Sequence, residues 1–253
     1  MIPPITGLRF GYIKPNIPPV QSYSRPLYET NPNLTLRAVP PSGQRPFDWL
    51  FAHRGTSQLG AHTLTVIEDK GGKEYVHLLV TERPTLGGKR TLELPAGLVG
   101  DEDSDETILQ AACRETTKET GLTVDKMAML TQAVFAESPG SSTQLRALAY
   151  IHAKGSPHGQ DRDPDEKAFI VGHLNVPLGT FTGRQKFIDW METMSRDHGY
   201  LISSDILEAR ALMPKSTGKR KRLFRRQPKP LAPEGTLSAK DRKSMRPTKG
   251  SQL

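Results

Sequence analysis

Cysteine, long apolar runs and targeting segments are scarce in this chain, and each scarcity excludes a class of protein. Cys113 is the only cysteine among 253 residues, so no disulfide can form within the chain and a reducing compartment fits. No run of eighteen apolar residues occurs, which predicts no transmembrane helix and no membrane partner. Residues 1–30 are rich in proline, without the pattern of a secretory signal or a transit peptide. These absences predict a cytoplasmic protein.

Positive charge is distributed unevenly along the chain. The net charge is +8, but residues 214–253 contain 13 Lys and Arg against 2 Asp and Glu, which leaves a net charge of −3 on the other 213 residues. The basic segment includes Lys219-Arg220-Lys221-Arg222 and several prolines, so it cannot bury a core and is predicted to be disordered. It is either a solubilising tail, or a segment that binds nucleic acid or an acidic partner and, in a eukaryote, directs the protein to the nucleus.

Apolar periodicity predicts one α/β domain over residues 45–213, between an irregular proline-rich segment at 1–44 with short extended pieces and the basic tail at 214–253. The predicted strands are 62–67, 75–82, 90–94, 127–135, 145–153 and 169–176, and the predicted helices include 183–198 and 203–213. A turn at Gly71-Gly72 joins the first two strands. Mixed strands with helices on both faces of one sheet are typical of an α/β/α sandwich.

The most specific pattern lies between Gly100 and Leu122. It consists of Gly100, five residues, Glu106, seven residues, Arg114-Glu115, three residues, Glu119, one residue and Gly121-Leu122. Even six of these seven fixed residues, at average usage, would match by chance at about one position in ten million. The pattern is therefore taken as a functional motif rather than as a solvated helical face.

Residues 105–120 contain no Gly or Pro and are predicted to form a helix that Asp103 or Ser104 caps, with Glu106 completing a capping box and Gly121 ending the helix. Its predicted buried stripe is Ile108, Leu109, Ala112 and Thr116. Glu115 and Glu119 are four residues apart, so both carboxylates leave one face and can bind Mg²⁺ or Mn²⁺. Arg114 can orient a neighbouring carboxylate through a bidentate pair.

This pattern is the Nudix box, with one departure at Lys118. Arg83-Pro84, Leu86-Gly87-Gly88 and Leu92-Glu93-Leu94-Pro95-Ala96-Gly97-Leu98 precede the box, and Ser138-Pro139-Gly140 follows it. Over about residues 45–212 the arrangement resembles the ADP-ribose pyrophosphatase, or ADP-sugar diphosphatase, branch of the Nudix hydrolases. The resemblance implies the Nudix α/β/α sandwich with a mixed sheet, and a homodimer in which the N-terminal strands cross to the partner subunit. It also implies Mg²⁺- or Mn²⁺-dependent hydrolysis of an ADP-sugar to AMP and a sugar phosphate.

The resemblance further implies the residues of the site. The metal ions would be held by the backbone carbonyl of Ala96 and by the carboxylates of Glu115 and Glu119, with Arg114 beside them. Arg83, Glu93, Gly97 and Gly140 would contact the substrate. Trp49 falls where the branch has an aromatic ring that stacks on adenine, although a packing role for this tryptophan is an equally good interpretation.

The base that takes the proton from the attacking water would lie in the loop at 155–167. This loop contains four acidic residues, Asp161, Asp163, Asp165 and Glu166. Glu166 is preferred because it directly precedes the apolar run at 168–176.

Two positions depart from the branch. Lys118 replaces the first of the paired glutamates of the box, which is a metal ligand in many Nudix enzymes, and Gln144 stands where many bacterial members carry glutamate. Two alternatives to ADP-sugar hydrolysis therefore remain: hydrolysis of NADH, a dinucleotide or a capped RNA end, and RNA or ribosome binding by a catalytically impaired Nudix fold. The retention of Glu106, Arg114, Glu115 and Glu119 favours an enzyme, and we predict an ADP-ribose pyrophosphatase.

Overall fold

The computed structural model describes residues 25–31, 34–42, 47–54, 57–137, 142–155 and 168–214. Residues 215–253 lie outside this range, so the disorder of the basic tail and the three domain limits stay predictions. No helix in the described part of the chain is long and apolar enough to cross a membrane.

The described residues form two β-sheets and several helices. The strands are β1 (Arg25–Asn31), β2 (Leu34–Val39), β3 (Trp49–Arg54), β4 (Leu59–Glu68), β5 (Glu74–Arg83), β6 (Lys89–Glu93), β7 (Ala96–Leu98), β8 (Thr123–Ala136), β9 (Leu145–Lys154), β10 (Ile170–Pro177) and β11 (Leu201–Ile202). The helices are α1 (Ile108–Thr120), α2 (Leu178–Thr182), α3 (Arg184–Arg196) and α4 (Ser204–Leu212), and a 3₁₀ turn spans Pro84–Leu86.

The main sheet has eight strands and is mixed, as predicted. Its order is β11-β6-β5-β4-β9-β8, with β10 paired to β5 and β7 paired to β4. Strands β4 and β9 run parallel, as do β6 and β11, and the other pairs are antiparallel. The turn predicted at Gly71-Gly72 joins β4 to β5, and Gly72 adopts the left-handed conformation with φ of 77°.

Helices cover both faces of this sheet because successive side chains of β4 point to opposite sides. Ala61 and Ile67 belong to the core beneath α1, whereas Leu64 and Val66 belong to the core beneath the C-terminal helices. The second core also contains Phe181, Phe187, Ile206 and Ala209. This layering confirms the predicted α/β/α sandwich.

The predicted strands and the two C-terminal helices are confirmed, with ends that move by up to four residues. The sequence did not indicate β7, β11 or α2, which have three, two and five residues. Segments this short show too few periods for a pattern to be read.

The predicted start of the box helix was wrong. Helix α1 begins at Ile108, where Thr107 is the N-cap and forms a capping box with Gln110, so Asp103 and Ser104 lie before the helix. The predicted end is confirmed, because Gly121 is the C-cap with φ of 70°. Ile108, Ala112 and Thr116 are buried as predicted, whereas Leu109 is only partly buried at the edge of the stripe.

The second sheet is small and contains β1, β2 and β3, all antiparallel. It therefore joins strands on both sides of the predicted limit at residue 44. The small sheet is attached to the segment before β9, where Thr143 N donates to Ala52 O at 3.2 Å and His53 Nδ1 lies 3.0 Å from Thr143 Oγ1.

Candidate active site

Strand β7 lies against two carboxylates of the box helix. Ala96 N donates to Glu119 Oε2 at 2.9 Å. A β-carbon on Gly97 would lie only 2.0 Å from Glu115 Oε1, so a residue with a side chain cannot stand at position 97 unless Glu115 moves. The glycine thus creates the space that Glu115 occupies, and two adjacent residues of β7 contact two carboxylates one helical turn apart.

Arg114 connects the box helix to the loop that precedes it. Its Nε and Nη2 donate to the two oxygens of Glu106 at 2.8 and 3.0 Å, which is the bidentate pair predicted for this arginine. Nη2 also donates to Leu98 O at 2.9 Å, and Nη1 contacts Glu115. One guanidinium therefore holds Glu106, Glu115 and the end of β7 in a fixed relation.

The pKa values of Glu106 and Arg114 are shifted by the hydrogen bonds between them. The hydrogen bonds from Arg114 lower the pKa of the Glu106 carboxyl, assisted by the Gly100 N–H, although partial burial opposes the shift. The same hydrogen bonds to Glu106, together with the charge of Glu115, raise the pKa of Arg114. Both groups are consequently charged at neutral pH, and Glu106 fixes the loop rather than facing a ligand.

A second arginine–glutamate pair lies on the neighbouring strands. Arg83 Nε donates to Glu93 Oε1 at 3.0 Å, and Arg83 Nη2 contacts Glu93 Oε2. Thr81 Oγ1 donates to Glu93 Oε1 at 2.8 Å. The hydrogen bonds to Glu93 raise the pKa of Arg83, with smaller contributions from the charges of Glu119 and Asp205.

The Arg83–Glu93 pair and Glu119 border one cavity of about 70 Å³. It is lined by Leu79, Thr81, Arg83, Glu93, Leu94, Ala96, Glu119, Phe169 and Ile170. Whole-ligand pockets usually measure about 300–1,000 Å³, so this cavity is of the size for a phosphate rather than for an entire nucleotide sugar. The structure therefore places predicted substrate contacts and a predicted metal ligand at one small polar site.

The donor set fits a hard divalent cation. Glu115 and Glu119 are 4% and 8% exposed, and carboxylate and carbonyl oxygens are the ligands that Mg²⁺ and Mn²⁺ prefer. Within the residues that the structure describes, no group of three or more His, Cys, Asp and Glu side chains is arranged to hold a metal. Glu106 is committed to Arg114, so the predicted ligand set contains only two carboxylates and a backbone carbonyl.

Other predicted positions lie away from the cavity or outside the description. Trp49 is 42% exposed on β3, where its ring stacks on Phe47 with centroids 6.4 Å apart, so it is not a core residue. Gly140 and Glu166 lie outside the described residues, as do the rest of 138–141 and 156–167. Lys118 occupies the last turn of α1, where a cation interacts favourably with the helix dipole. The backbone of Gln144 accepts from Glu137 N and donates to Ser142 Oγ.

The sequence reasoning missed several residues that line the cavity. Thr81 could have been found, because it lies two residues before Arg83 on one strand and must share its face. Phe169 and Ile170 follow the acidic loop at 155–167, and the length of that loop gave no indication of where its end would pack. Leu79 and Leu94 were indistinguishable from ordinary strand residues.

Comparison with known proteins agrees with the fold. No curated protein sequence matches the chain. Among solved structures, a crystal structure of an ADP compounds hydrolase aligns with a TM-score of 0.51 and 13% sequence identity, over 75% of this chain and 88% of that one. At this identity the likeness shows the fold alone. The model of the NUDIX domain matches residues 58–194, which is more than half of the chain. This chain therefore belongs to the Nudix family and is a pyrophosphohydrolase, as predicted.

Proposed function

We propose that this protein hydrolyses the diphosphate of ADP-ribose or a related ADP-sugar to AMP and a sugar phosphate, with Mg²⁺, or Mn²⁺ in its place. One observation carries the proposal. Arg83, Glu93, Ala96 and Glu119, which come from β5, β6, β7 and α1, line one cavity of the size of a phosphate. The likeness in fold to an ADP compounds hydrolase is compatible with this substrate class.

Some residues of the site would bind metal ions or phosphate, and others hold those residues in place. Glu115 and Glu119, with the Ala96 carbonyl, would hold divalent ions, which Nudix hydrolases generally use. Such ions neutralise charge on the diphosphate and lower the pKa of a bound water. Arg114 fixes Glu115 from the side of the loop. Arg83 faces the same cavity, where its guanidinium can bind a phosphate oxygen. Glu93 orients this guanidinium and in turn accepts a hydrogen bond from Thr81.

The proton acceptor is proposed to be Glu166. Its position along the chain supports this choice, because Phe169 and Ile170, three and four residues later, already line the cavity. Gly140 is retained as a proposed substrate contact.

The first test measures products from ADP-ribose, ADP-glucose, NADH and a capped RNA with Mg²⁺, using the full chain. We expect AMP and ribose phosphate from ADP-ribose, and reaction in ¹⁸O-labelled water identifies the phosphorus that is attacked. Glu119→Gln keeps the side-chain shape but removes a ligand charge, so turnover should fall by at least about 100-fold, since even outer-shell changes cost 10–100-fold. Asp101→Asn is the matched control, because Asp101 lies in the same box and is exposed.

The outcomes separate the alternatives cleanly. Hydrolysis of NADH or capped RNA in preference to ADP-ribose would replace the substrate and keep the site. Near-normal activity of Glu119→Gln would overturn the metal assignment. No hydrolysis of any substrate by folded protein would overturn the proposal and leave a Nudix-fold binding protein.

We also propose a homodimer that forms through the small sheet. Leu34, Leu36 and Leu50 are 47%, 41% and 51% exposed, and the strand register places all three on one face. The opposite face buries Thr35, Arg37, Phe51 and His53. An apolar face of this kind is typical of a subunit interface.

The basic tail is proposed to bind nucleic acid or another acidic partner independently of hydrolysis. Deleting residues 214–253 removes 13 Lys and Arg with 2 Asp and Glu and leaves a net charge of −3. Retention on RNA or DNA should then become weak and lose its salt dependence, while turnover of ADP-ribose stays within about twofold. Unchanged retention after the deletion would remove the tail from this role.

A further inference from the structure

The peptide unit between Pro95 and Ala96 is held from both sides. Its carbonyl oxygen, Pro95 O, accepts from Thr63 N at 2.8 Å and from Thr63 Oγ1 at 3.1 Å. Its N–H, on Ala96, donates to Glu119 Oε2 at 2.9 Å. Because a peptide unit is planar, fixing the carbonyl also fixes the direction of the N–H that meets Glu119.

The Thr63 hydroxyl is the centre of this arrangement. A hydroxyl has one proton, and that of Thr63 goes to Pro95 O, so Thr63 Oγ1 must accept from Thr116 Oγ1 at 3.1 Å and from Thr65 Oγ1 at 3.2 Å. All three threonines are fully buried. Thr116 lies on α1 three residues before Glu119, so the hydrogen bonds close a ring from β4 through the 95–96 peptide and the box helix back to β4.

Packing alone does not account for a hydroxyl at this position. Ala61 and Ile67 on the same face of β4 are apolar and belong to the core beneath α1. Valine has nearly the same shape as threonine and suits a buried strand at least as well. The hydroxyl adds a second hydrogen bond to Pro95 O, and that bond is what an apolar residue could not supply.

We propose that Thr63 is a positioning residue that orients the Pro95–Ala96 peptide and, through it, the Glu119 carboxylate for binding a divalent ion. This inference rests on the proposed function, since it concerns the ions that Glu119 and Ala96 hold. Partners that orient metal ligands commonly change metal affinity by 10–100-fold when they are removed. Thr63 acts through the peptide and through Glu119, without touching the substrate.

The test is Mn²⁺ binding without substrate, measured by electron paramagnetic resonance of the free ion, together with kcat and KM for ADP-ribose. Thr63→Val should raise the Kd for Mn²⁺ by about 10-fold or more and lower kcat, with KM for ADP-ribose within about threefold. Thr63→Ser restores the hydroxyl and should return the Kd to within about threefold of wild type. Thr65→Val is the matched control, because Thr65 contacts the Thr63 hydroxyl but does not touch the 95–96 peptide.

The outcomes distinguish this inference from the function on which it rests. Wild-type binding of Mn²⁺ with an unchanged Kd in Thr63→Val would overturn the role of Thr63 alone. Failure of the wild-type protein to bind Mn²⁺ would overturn both. If Thr63→Val does not fold, Thr63→Ala also removes the hydroxyl, and a Kd equal to that of wild type would overturn the role.

Discussion

The region around the box helix buries polar side chains, whereas the small sheet exposes apolar ones. Around α1, charged and polar groups are buried and engage one another: Arg114 with Glu106, Glu119 with Ala96, and Thr116 with Thr63. In the small sheet, large apolar side chains such as Leu34, Leu36 and Leu50 face outward. The first region pairs its buried polar groups within the chain, whereas the second leaves large apolar side chains exposed. Changes in the first should therefore affect chemistry, and changes in the second should affect assembly.

The largest effect is expected from Gly97→Ala. The new β-carbon would lie 2.0 Å from Glu115 Oε1 and must displace that carboxylate. Turnover of ADP-ribose should fall by about 100-fold or more, comparable to loss of a ligand, while the sheet persists. Gly179→Ala is the control, because a β-carbon there meets nothing within 4 Å. Equal activity of the two variants would show that the position of Glu115 does not matter.

Arg114→Lys should have a smaller effect on the same region. Lysine cannot reproduce the fork that binds both oxygens of Glu106 together with Leu98 O. We expect a decrease in kcat of about 10–100-fold and a weaker affinity for Mn²⁺, since Glu115 loses a partner. Arg90→Lys, at an exposed pair with Glu82, should be close to wild type. If both variants retain full kcat, the box charges are only a surface network.

Leu36→Glu tests the other side of the comparison and should leave turnover least affected. A charge on the outward face should dissociate the proposed homodimer, so the mass from light scattering at micromolar concentration should fall to that of one chain. The melting temperature should change little, because Leu36 is 41% exposed. Leu207→Glu, at a leucine on α4 that is 45% exposed, should keep the wild-type mass. A monomeric wild-type protein would contradict the proposed interface.

The box helix shows where prediction from sequence succeeded and where it failed. Two capping patterns compete before α1, Asp103 with Glu106 and Thr107 with Gln110, and both have the spacing of a capping box. The predicted cap rested on the first pattern and was wrong, because the structure forms the second. The Glu106 carboxylate accepts hydrogen bonds from Arg114, eight residues further along the chain, and from Gly100 N, so it is unavailable to a cap. The contact between Arg114 and Glu106 therefore decides which of the two capping boxes forms, and the local sequence of the cap does not reveal that contact.

The small sheet shows the opposite limitation. The proline-rich segment at 1–44 is predicted to be irregular with short extended pieces, and β3 is not among the predicted strands. The alternation in β2 is inverted, because Leu34 and Leu36 are exposed while Thr35 and Arg37 are buried, so it does not reveal a face packed on the core. Only the pairing of β2 with both β1 and β3 makes them one sheet.

By itself, the sequence determined the family, the sandwich, the end of α1 at Gly121 and the carboxylates that share one helical face. These features depend on spacing along one element, where 3.6- and 2-residue periods and the flexibility of glycine act locally. The tertiary structure decided that Gly97 makes space for Glu115, that Glu106 belongs to Arg114, and that Thr63 holds the peptide facing Glu119. These depend on which elements pack together, because hydrogen bonds between buried groups form only after the sheet has brought distant parts of the chain within 3 Å of one another.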